Sequence, residues 1–277
     1  MIRATILMTA LIVMLAGHSL HAATNNNPLP LEQLTPGGVA LIDLGSAPGH
    51  PHAWLNDVPV AVLPSGDGFI AMVGIPLSAK PGQHQLKVKQ GNTESTIAFE
   101  VVTKAYKEQH ITIKNNRQVN PNENDMVRIR QDRTDIANAK RYRHQTLLGT
   151  QFTVPVEGPR SSSFGSRRFF NGQPRNPHGG MDIAAVEGTP IYAPADAYVV
   201  ESGDYFFSGK CIFLGHGLGL QTFYAHLSKI DVAPGELIKK GQKIGEVGAT
   251  GRVTGAHLHW SVGLNRTWVD PELFLEK

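Results

Sequence analysis

Residues 254–262 read Thr-Gly-Ala-His-Leu-His-Trp-Ser-Val, and this stretch indicates the fold of the C-terminal half of the chain. From His257 onward, apolar and polar side chains alternate, which is the pattern of a half-buried β-strand. Residues two apart on a strand point to the same face, so His257 and His259 are expected to lie side by side. Two imidazoles on one face need polar partners, which a metal ion and a reactive water would supply. For this pair alone, two hydrogen-bonded surface histidines are the alternative.

A second group of candidate ligands lies upstream, where residues 178–182 read His-Gly-Gly-Met-Asp. Imidazole and carboxylate groups suit zinc, and the two glycines allow the backbone to bring His178 and Asp182 to one ion. This spacing alone is weak, because it also arises by chance. The His50-Pro51-His52 segment repeats the H-x-H spacing in a Gly/Pro-rich turn without such a companion, so we interpret it as structural.

The rest of the chain predicts a mainly β protein in three parts. Residues 37–113 contain short β-type runs separated by Gly/Pro/Asn/Ser turns, which is typical of a small antiparallel sandwich. These runs are 39–44, 58–63, 69–73, 85–88 and 96–102. Residues 150–277 are glycine-rich and contain further short runs without an amphipathic helix, which predicts a second all-β domain. The C-terminal runs are 191–192, 198–202, 211–214, 220–224, 237–238, 244–247 and 257–262.

Residues 114–149 predict a helical, basic linker. Several side chains recur there at helical spacing, Asn122 or Asn124 could cap the start, and Gly149 could end the run. Ten of the 26 Lys and Arg residues fall between residues 104 and 143. We interpret this charge as a solvated face of a connecting helix; a patch that grips an anionic polymer is the alternative.

Composition excludes several classes of protein. The 277 residues are 41% hydrophobic and 18% charged with no long polar tract, which excludes wholesale disorder. A net charge of +3 is too small to predict nucleic-acid binding. The single cysteine, Cys211, excludes an intramolecular disulfide and a cysteine-based zinc cluster, and its apolar setting indicates a buried thiol.

Residues 1–22 predict a cleavable signal peptide. Arg3 precedes an apolar run from residue 4 to residue 16, and small residues follow at Ala22 and Ala23. The alternative is a membrane anchor, but the run is shorter than the roughly 18 to 20 apolar residues that a span needs. The mature chain is therefore expected in the periplasm or secreted, without stable membrane insertion.

Several motifs together resemble one known family. In chain order they are Ser162-Ser163-Phe164-Gly165-Ser166-Arg167, His178-Gly179-Gly180-Met181-Asp182, Gly188-Thr189-Pro190-Ile191-Tyr192-Ala193, His216-Gly217-Leu218-Gly219, Tyr224-Ala225-His226-Leu227-Ser228, Gly241 to Gly245, Gly248 to Gly251, and Thr254 to His259. Over about 120 residues the chain thus resembles the lysostaphin/LytM-type zinc metallopeptidases, which cut peptide bonds in peptidoglycan. The N-terminal region resembles the immunoglobulin-like domain that precedes this domain in some Gram-negative members.

The resemblance implies a groove over an antiparallel sheet and one Zn²⁺ per chain. Carried over by motif position, the zinc ligands are His178, Asp182 and His259. The resemblance makes His226 and His257 an unligated pair beside the metal-bound water, and either one could be the general base. Some relatives place an Asn near the first ligand on the metal in a latent form, and Asn176 holds such a position here.

Two further residues near these motifs are interpreted as structural. His216 precedes Gly217 and is interpreted as a turn residue, and Tyr224 as a packing residue on a strand.

The leading functional hypothesis is a zinc endopeptidase that hydrolyses peptidoglycan cross-links, with the D-alanyl–diaminopimelate bond favoured by analogy. Peptidoglycan is the expected partner, and the N-terminal region could inhibit the groove intramolecularly. The first alternative is a non-catalytic regulator that activates another wall hydrolase. The second is a wall-binding module with a structural metal, against which three ligands and an open fourth position argue.

Overall fold

The computed structural model describes residues 28–276. The predicted signal peptide, residues 1–22, lies outside the described residues. Among those described, no helix combines the length and the apolar character needed to cross a bilayer. Residues 28–276 form a mainly β architecture, as predicted, with one α-helix and five sheets.

The N-terminal region consists of two antiparallel sheets around a shared core. Its strands are β1 (Val39–Gly45), β2 (His52–Leu55), β3 (Val58–Pro59), β4 (Ala61–Ser65), β5 (Gly68–Gly74), β6 (Gly82–Gln90) and β7 (Thr93–Val101). One sheet has the order β1-β5-β4 and the other β3-β2-β6-β7. Apolar side chains of both sheets, among them Ile42, Leu55 and Leu86, form one buried cluster. This agrees with the predicted sandwich, and its immunoglobulin-like character remains a prediction.

The run predicted at 58–63 is divided between the two sheets. Val58 and Pro59 pair with β2, whereas the strand that starts at Ala61 pairs with β5. Pro59 has no backbone N–H to continue a ladder, and the chain changes sheets directly after it. His52, which we interpreted as part of a turn, is instead the first residue of β2.

The connecting segment runs along the C-terminal region. It contains β8 (Glu108–Ile111), a short 3₁₀ helix (Asn116–Gln118) and α1 (Glu123–Arg141). Asn122 caps α1 through a reciprocal capping box with Asp125. The helix ends at Arg141, well before Gly149, because the chain becomes extended at Tyr142. Strand β8 pairs with a C-terminal strand, so we propose that the N-terminal domain ends near residue 104 rather than at 113.

The C-terminal region is built on an eight-stranded antiparallel sheet. The strands of the whole C-terminal region are β9 (Arg160–Ser162), β10 (Arg167–Phe170), β11 (Gln173–Pro174), β12 (Met181–Ile183), β13 (Pro190–Tyr192), β14 (Ala197–Tyr205), β15 (Gly209–Gly217), β16 (Leu220–Leu227), β17 (Lys229–Ile230), β18 (Leu237–Ile238), β19 (Lys243–Glu246), β20 (Leu258–Leu264) and β21 (Thr267–Val269). A 3₁₀ helix (Pro271–Phe274) follows them. The main sheet has the order β18-β14-β15-β16-β20-β12-β9, and β21 joins β20. Two small sheets, β11-β10-β8 and β13-β19-β17, flank it.

The N-terminal and C-terminal regions share buried contacts. The Asn265 side chain accepts a hydrogen bond from the Gly74 backbone N–H at 2.6 Å and donates one to its carbonyl at 3.0 Å. Val39 and Met72 also belong to the same buried cluster as Trp260. These contacts fix the sandwich against the sheet that carries the candidate site.

Candidate active site

The three predicted metal ligands meet at the junction of β12 and β20. Asp182 and His259 are direct partners in the antiparallel register, and His178 lies in the irregular segment before β12. Asp182 Oδ1 is 2.8 Å from His259 Nδ1 and 3.0 Å from His178 Nε2, and the two nitrogens are 2.9 Å apart. His178 and Asp182 are buried. One carboxylate and two imidazoles therefore converge on one point, an arrangement compatible with the ligand set that the resemblance implies.

The outer hydrogen bonds of this cluster suit a metal site. His178 Nδ1 is 3.0 Å from the Ser163 carbonyl oxygen, which can only accept a hydrogen bond, so Nδ1 carries the proton. Burial lowers the pKa of His178 to about 4, which keeps the ring neutral and leaves an Nε2 lone pair directed at the Asp182 carboxylate. Lone pairs that face one another need a cation between them. A histidine ligand held by a backbone carbonyl is also the usual outer arrangement of protein metal sites.

Arg168 holds the other oxygen of the carboxylate. Its Nη2 donates to Asp182 Oδ2 at 2.8 Å, and its Nε donates to Gln109 Oε1 at 3.2 Å. The Arg168 side chain is only 18% exposed. The ion pair therefore leaves Oδ1 directed at the histidines. Sequence reasoning missed this residue, although the quoted motif that ends at Arg167 stops one position before it.

His226 and His257 lie beside the cluster with their ring centroids 4.9 Å apart. His226 Nδ1 is 2.9 Å from the Thr250 carbonyl oxygen, and His257 Nδ1 is 2.9 Å from that of Gly255. Each Nδ1 therefore donates, and each Nε2 is left as an acceptor. His257 Nε2 is 3.9 Å from Asp182 Oδ1. Burial lowers the pKa of His226 to about 3, so this imidazole is neutral at physiological pH.

The backbone at His226 has an unusual conformation. Its φ angle is +70°, in the left-handed region that residues other than glycine rarely adopt. Hydrogen bonds from the backbone N–H to the Ser208 carbonyl and from Nδ1 to Thr250 hold it there. Such constrained residues are frequent at functional sites.

A groove of about 290 Å³ opens onto these groups, and we call it the active-site groove. Its lining includes Gln109, Ser162, Arg168, Asp182, His226, Arg252 and His257. Gln109, Ile111 and Ile113 of the connecting segment form part of its wall, because β8 runs parallel to β10. Among the described residues, none between 28 and 104 lines this groove.

The remaining residues singled out in the sequence lie elsewhere. His216 is not in a turn: it lies inside β15, fully buried, with its ring nitrogens 2.9 Å from Asp196 O and Thr222 Oγ1. Tyr224 is buried against the core, as expected of a packing residue, and Cys211 is a buried thiol whose pKa is raised by burial. Asn176 is exposed, and within the described part of the chain it makes no hydrogen bond to the cluster.

Comparison with known proteins identifies similar sequences and folds. The sequence pattern of Peptidase family M23 matches residues 176–271, and that of the Peptidase family M23 N-terminal domain matches residues 32–104. A solved structure from Pseudomonas aeruginosa assigned to peptidase M23 is 39% identical with a TM-score of 0.75, covering 88% of this chain and 96% of that one.

Curated relatives match over part of the chain. Peptidoglycan DD-endopeptidase ShyA of Vibrio cholerae is 43% identical over 103 residues, which are 37% of this chain and 24% of ShyA. DD-carboxypeptidase/endopeptidase Mpg of Neisseria meningitidis is 42% identical over 94 residues, which are 34% of this chain and 22% of Mpg. The matched stretch therefore spans about a quarter of the length of each curated relative.

Proposed function

The chain belongs to peptidase family M23, and from this premise we propose that it is a zinc-dependent endopeptidase acting on peptidoglycan cross-links. The observation that carries the proposal is the cluster of His178, Asp182 and His259, whose ligand atoms all lie within 4.8 Å of one another. A structural cluster would need no reactive groups beside it. Here two further imidazoles, with free Nε2 atoms, line the same groove.

His178, Asp182 and His259 would hold one zinc ion. Three protein ligands leave a coordination position open, as catalytic zinc sites do. When bound, zinc lowers the pKa of a coordinated water towards about 7 and polarises a carbonyl group. Arg168 keeps the Asp182 carboxylate oriented and prevents it from rotating away from the histidines.

His226 and His257 would handle the proton of the attacking water. Because each Nδ1 donates to a backbone carbonyl, each Nε2 can accept a proton and later donate it to the leaving amine. The partner histidine, once protonated, can donate a hydrogen bond to the oxygen on which negative charge develops. The geometry is compatible with either assignment of the two roles.

The proposed substrate is the D-alanyl–diaminopimelate cross-link of peptidoglycan. Support comes from ShyA and Mpg, whose names describe DD-endopeptidases. The corresponding location is outside the cytoplasm, in the periplasm or secreted, in keeping with the signal peptide that the sequence predicts.

Inhibition by the N-terminal region would have to act through the connecting segment, because residues 109–113 line the groove and residues 28–104 do not. We therefore expect a change confined to the sandwich, such as His84→Ala on β6, to leave the cleavage rate unchanged. A large rise in the rate in that variant would instead indicate inhibition by the sandwich itself.

Two sets of variants test the proposed function. Replacing any of the three ligands by Ala is expected to abolish both zinc binding and cleavage of purified sacculi. His226→Ala and His257→Ala are expected to retain zinc but to lose about 10²-fold or more in cleavage rate. His84→Ala, a half-buried histidine on the N-terminal strand β6, is the control and should match the unmodified chain. Full activity in any ligand variant would overturn the assignment.

A further inference from the structure

A second cavity, next to the active-site groove, is lined by more cationic than anionic side chains. It has a volume of about 730 Å³, and we call it the arginine cavity. Four of its lining residues are Arg133, Arg168, Arg175 and Arg252. Among the described residues, no carboxylate lines it. Four guanidinium groups around one cavity repel one another, and an anion inside it would relieve that repulsion.

Arg252 is the most constrained of the four. Its guanidinium lies between two aromatic rings, 4.6 Å from the centroid of Phe170 and 4.2 Å from that of Phe207. Its hydrogen bond to a protein group is from Nη1 to the Gln118 carbonyl oxygen at 3.3 Å. Burial, together with the neighbouring charges of Arg168 and Arg175, lowers the pKa of Arg252 to about 10. A partly desolvated guanidinium is thus held in one orientation, and several of its N–H groups remain available to donate hydrogen bonds to a ligand.

The other arginines leave this positive charge unbalanced. Arg168 is paired with Asp182, but within residues 28–276 neither Arg175 nor Arg252 forms an ion pair. Arg175 is oriented by hydrogen bonds to the carbonyl oxygens of Pro174 and Val119, both at 2.8 Å. Arg133 stands exposed on α1 at the rim. The protein therefore fixes two half-buried cations without a carboxylate partner for either.

The arginine cavity is continuous with the active-site groove, because Arg168, Phe170 and Arg252 line both. A peptide whose scissile bond lies against His226 and His257 would therefore extend past Arg252. Apolar side chains of α1, Met126 and Ile129, form part of the cavity wall and suit an aliphatic chain. The site thus combines fixed cations with apolar surface.

We propose that the arginine cavity is a specificity subsite that binds a free carboxylate of the substrate peptide beside the scissile bond. This inference rests on the proposed function. In a D-alanyl–diaminopimelate cross-link, the carbon that bears the scissile amide nitrogen also bears a carboxylate, and the side chain is aliphatic. Arg252 and Arg175 donate charge-assisted hydrogen bonds to that carboxylate, whose geometry matches a guanidinium fork. The subsite then binds peptides whose carboxylate is free more tightly than peptides whose carboxylate is amidated.

Binding to the metal-free full chain tests the subsite without any cleavage. The probes are a purified disaccharide-tetrapeptide with the one free diaminopimelate carboxylate and the same compound with that carboxylate amidated, each titrated by calorimetry. The unmodified chain is expected to bind the free form at least about tenfold more tightly. Arg252→Met keeps the bulk between the two rings and should lose that preference, as should Arg175→Met. Arg130→Met, an exposed arginine of α1 away from the cavity, is the control and should retain it.

The outcomes separate the subsite from the proposed function. Equal affinity for the two probes, or an unchanged preference in both Arg252→Met and Arg175→Met, would overturn the subsite. If Arg252→Met does not fold, Arg252→Lys, which keeps the charge but loses the fork, should weaken binding of the free form while Arg175→Met decides the case. Failure of the zinc-loaded chain to cleave a cross-linked dimer would overturn the function while leaving a measured carboxylate preference intact.

Discussion

Gly180 lies between two proposed metal ligands, where the structure leaves no room for a side chain. A Cβ atom at this position would be 2.3 Å from the Trp260 carbonyl oxygen and 2.5 Å from Ser261 Oγ. Real Cβ atoms essentially never approach closer than 3.0 Å, so the backbone before β12 would have to move by at least 3.0 minus 2.3, or 0.7 Å. Asp182 follows two residues later and is paired with His259. Gly180→Ala should therefore move Asp182 on β12 away from His259 on β20.

The size of the effect follows from this displacement. Overpacking of a closed site costs roughly 1–3 kcal/mol of stability. The ligand atoms are 2.8 to 3.0 Å apart, so a shift of this size is a substantial fraction of their spacing. Changes that misplace ligands by less direct routes typically cost about 10- to 100-fold in metal affinity. We expect Gly180→Ala to lose zinc affinity by at least that factor.

Gly255→Ala is a matched control, because no atom lies within 4 Å of the added Cβ. The hydrogen bond that the Gly255 carbonyl accepts from His257 Nδ1 is retained in this variant. The assays are zinc titration against a chelating dye and urea denaturation. Gly255→Ala should match the unmodified chain in both. Equal zinc affinity and an equal denaturation midpoint in Gly180→Ala would refute the steric reasoning.

Three further predictions concern stability. Burial lowers the pKa of His216 from 6.5 to about 4, so the unfolded chain takes up a proton before the folded chain does as the pH falls. Up to about 3 kcal/mol of the free energy of unfolding is therefore lost between pH 6.5 and 4. Urea denaturation across this pH range should show a smaller loss in His216→Gln, and an identical pH dependence in the variant would contradict the burial argument. Asn265→Ala leaves the Gly74 N–H and carbonyl without their side-chain partners and should lower the free energy of unfolding by about 1–3 kcal/mol, whereas an unchanged denaturation midpoint would show that this contact does not hold the two regions together. Removal of the metal with a chelator should lower Tm and re-addition of zinc should restore it, because the ion binds only the folded cluster; a Tm insensitive to both would argue against a bound metal.

Local spacing in the sequence indicates the candidate residues, and the family resemblance implies which of them are ligands. His178 and Asp182 are four residues apart, and the period-two pattern around His259 indicates a strand. Short-range spacing alone does not decide whether His257 or His259 is the ligand. The direct pairing of Asp182 with His259 is a long-range register that only the folded sheet provides.

The missed features depend on contacts between distant parts of the chain. Arg168 and Gln109 come together because β8 pairs in parallel with β10. Short-range sequence patterns do not predict such a parallel pairing of strands. Arg252 likewise lies between two aromatic rings from separate segments, Phe170 and Phe207. Gly217 after His216 favours a turn in the sequence, whereas β15 continues through both residues. Glycine in a strand marks close backbone approach as readily as a turn.

Digestion of purified sacculi with the zinc-loaded chain, followed by mass spectrometry of the products, tests the central claim most directly. The account predicts that cross-linked dimeric muropeptides are converted to monomers, with a new free amine on diaminopimelate and a new carboxylate on D-alanine. Asp182→Ala, treated in the same way, should leave the dimers intact. Unchanged dimers with the unmodified, zinc-loaded chain would contradict the assignment of this chain as a cross-link endopeptidase.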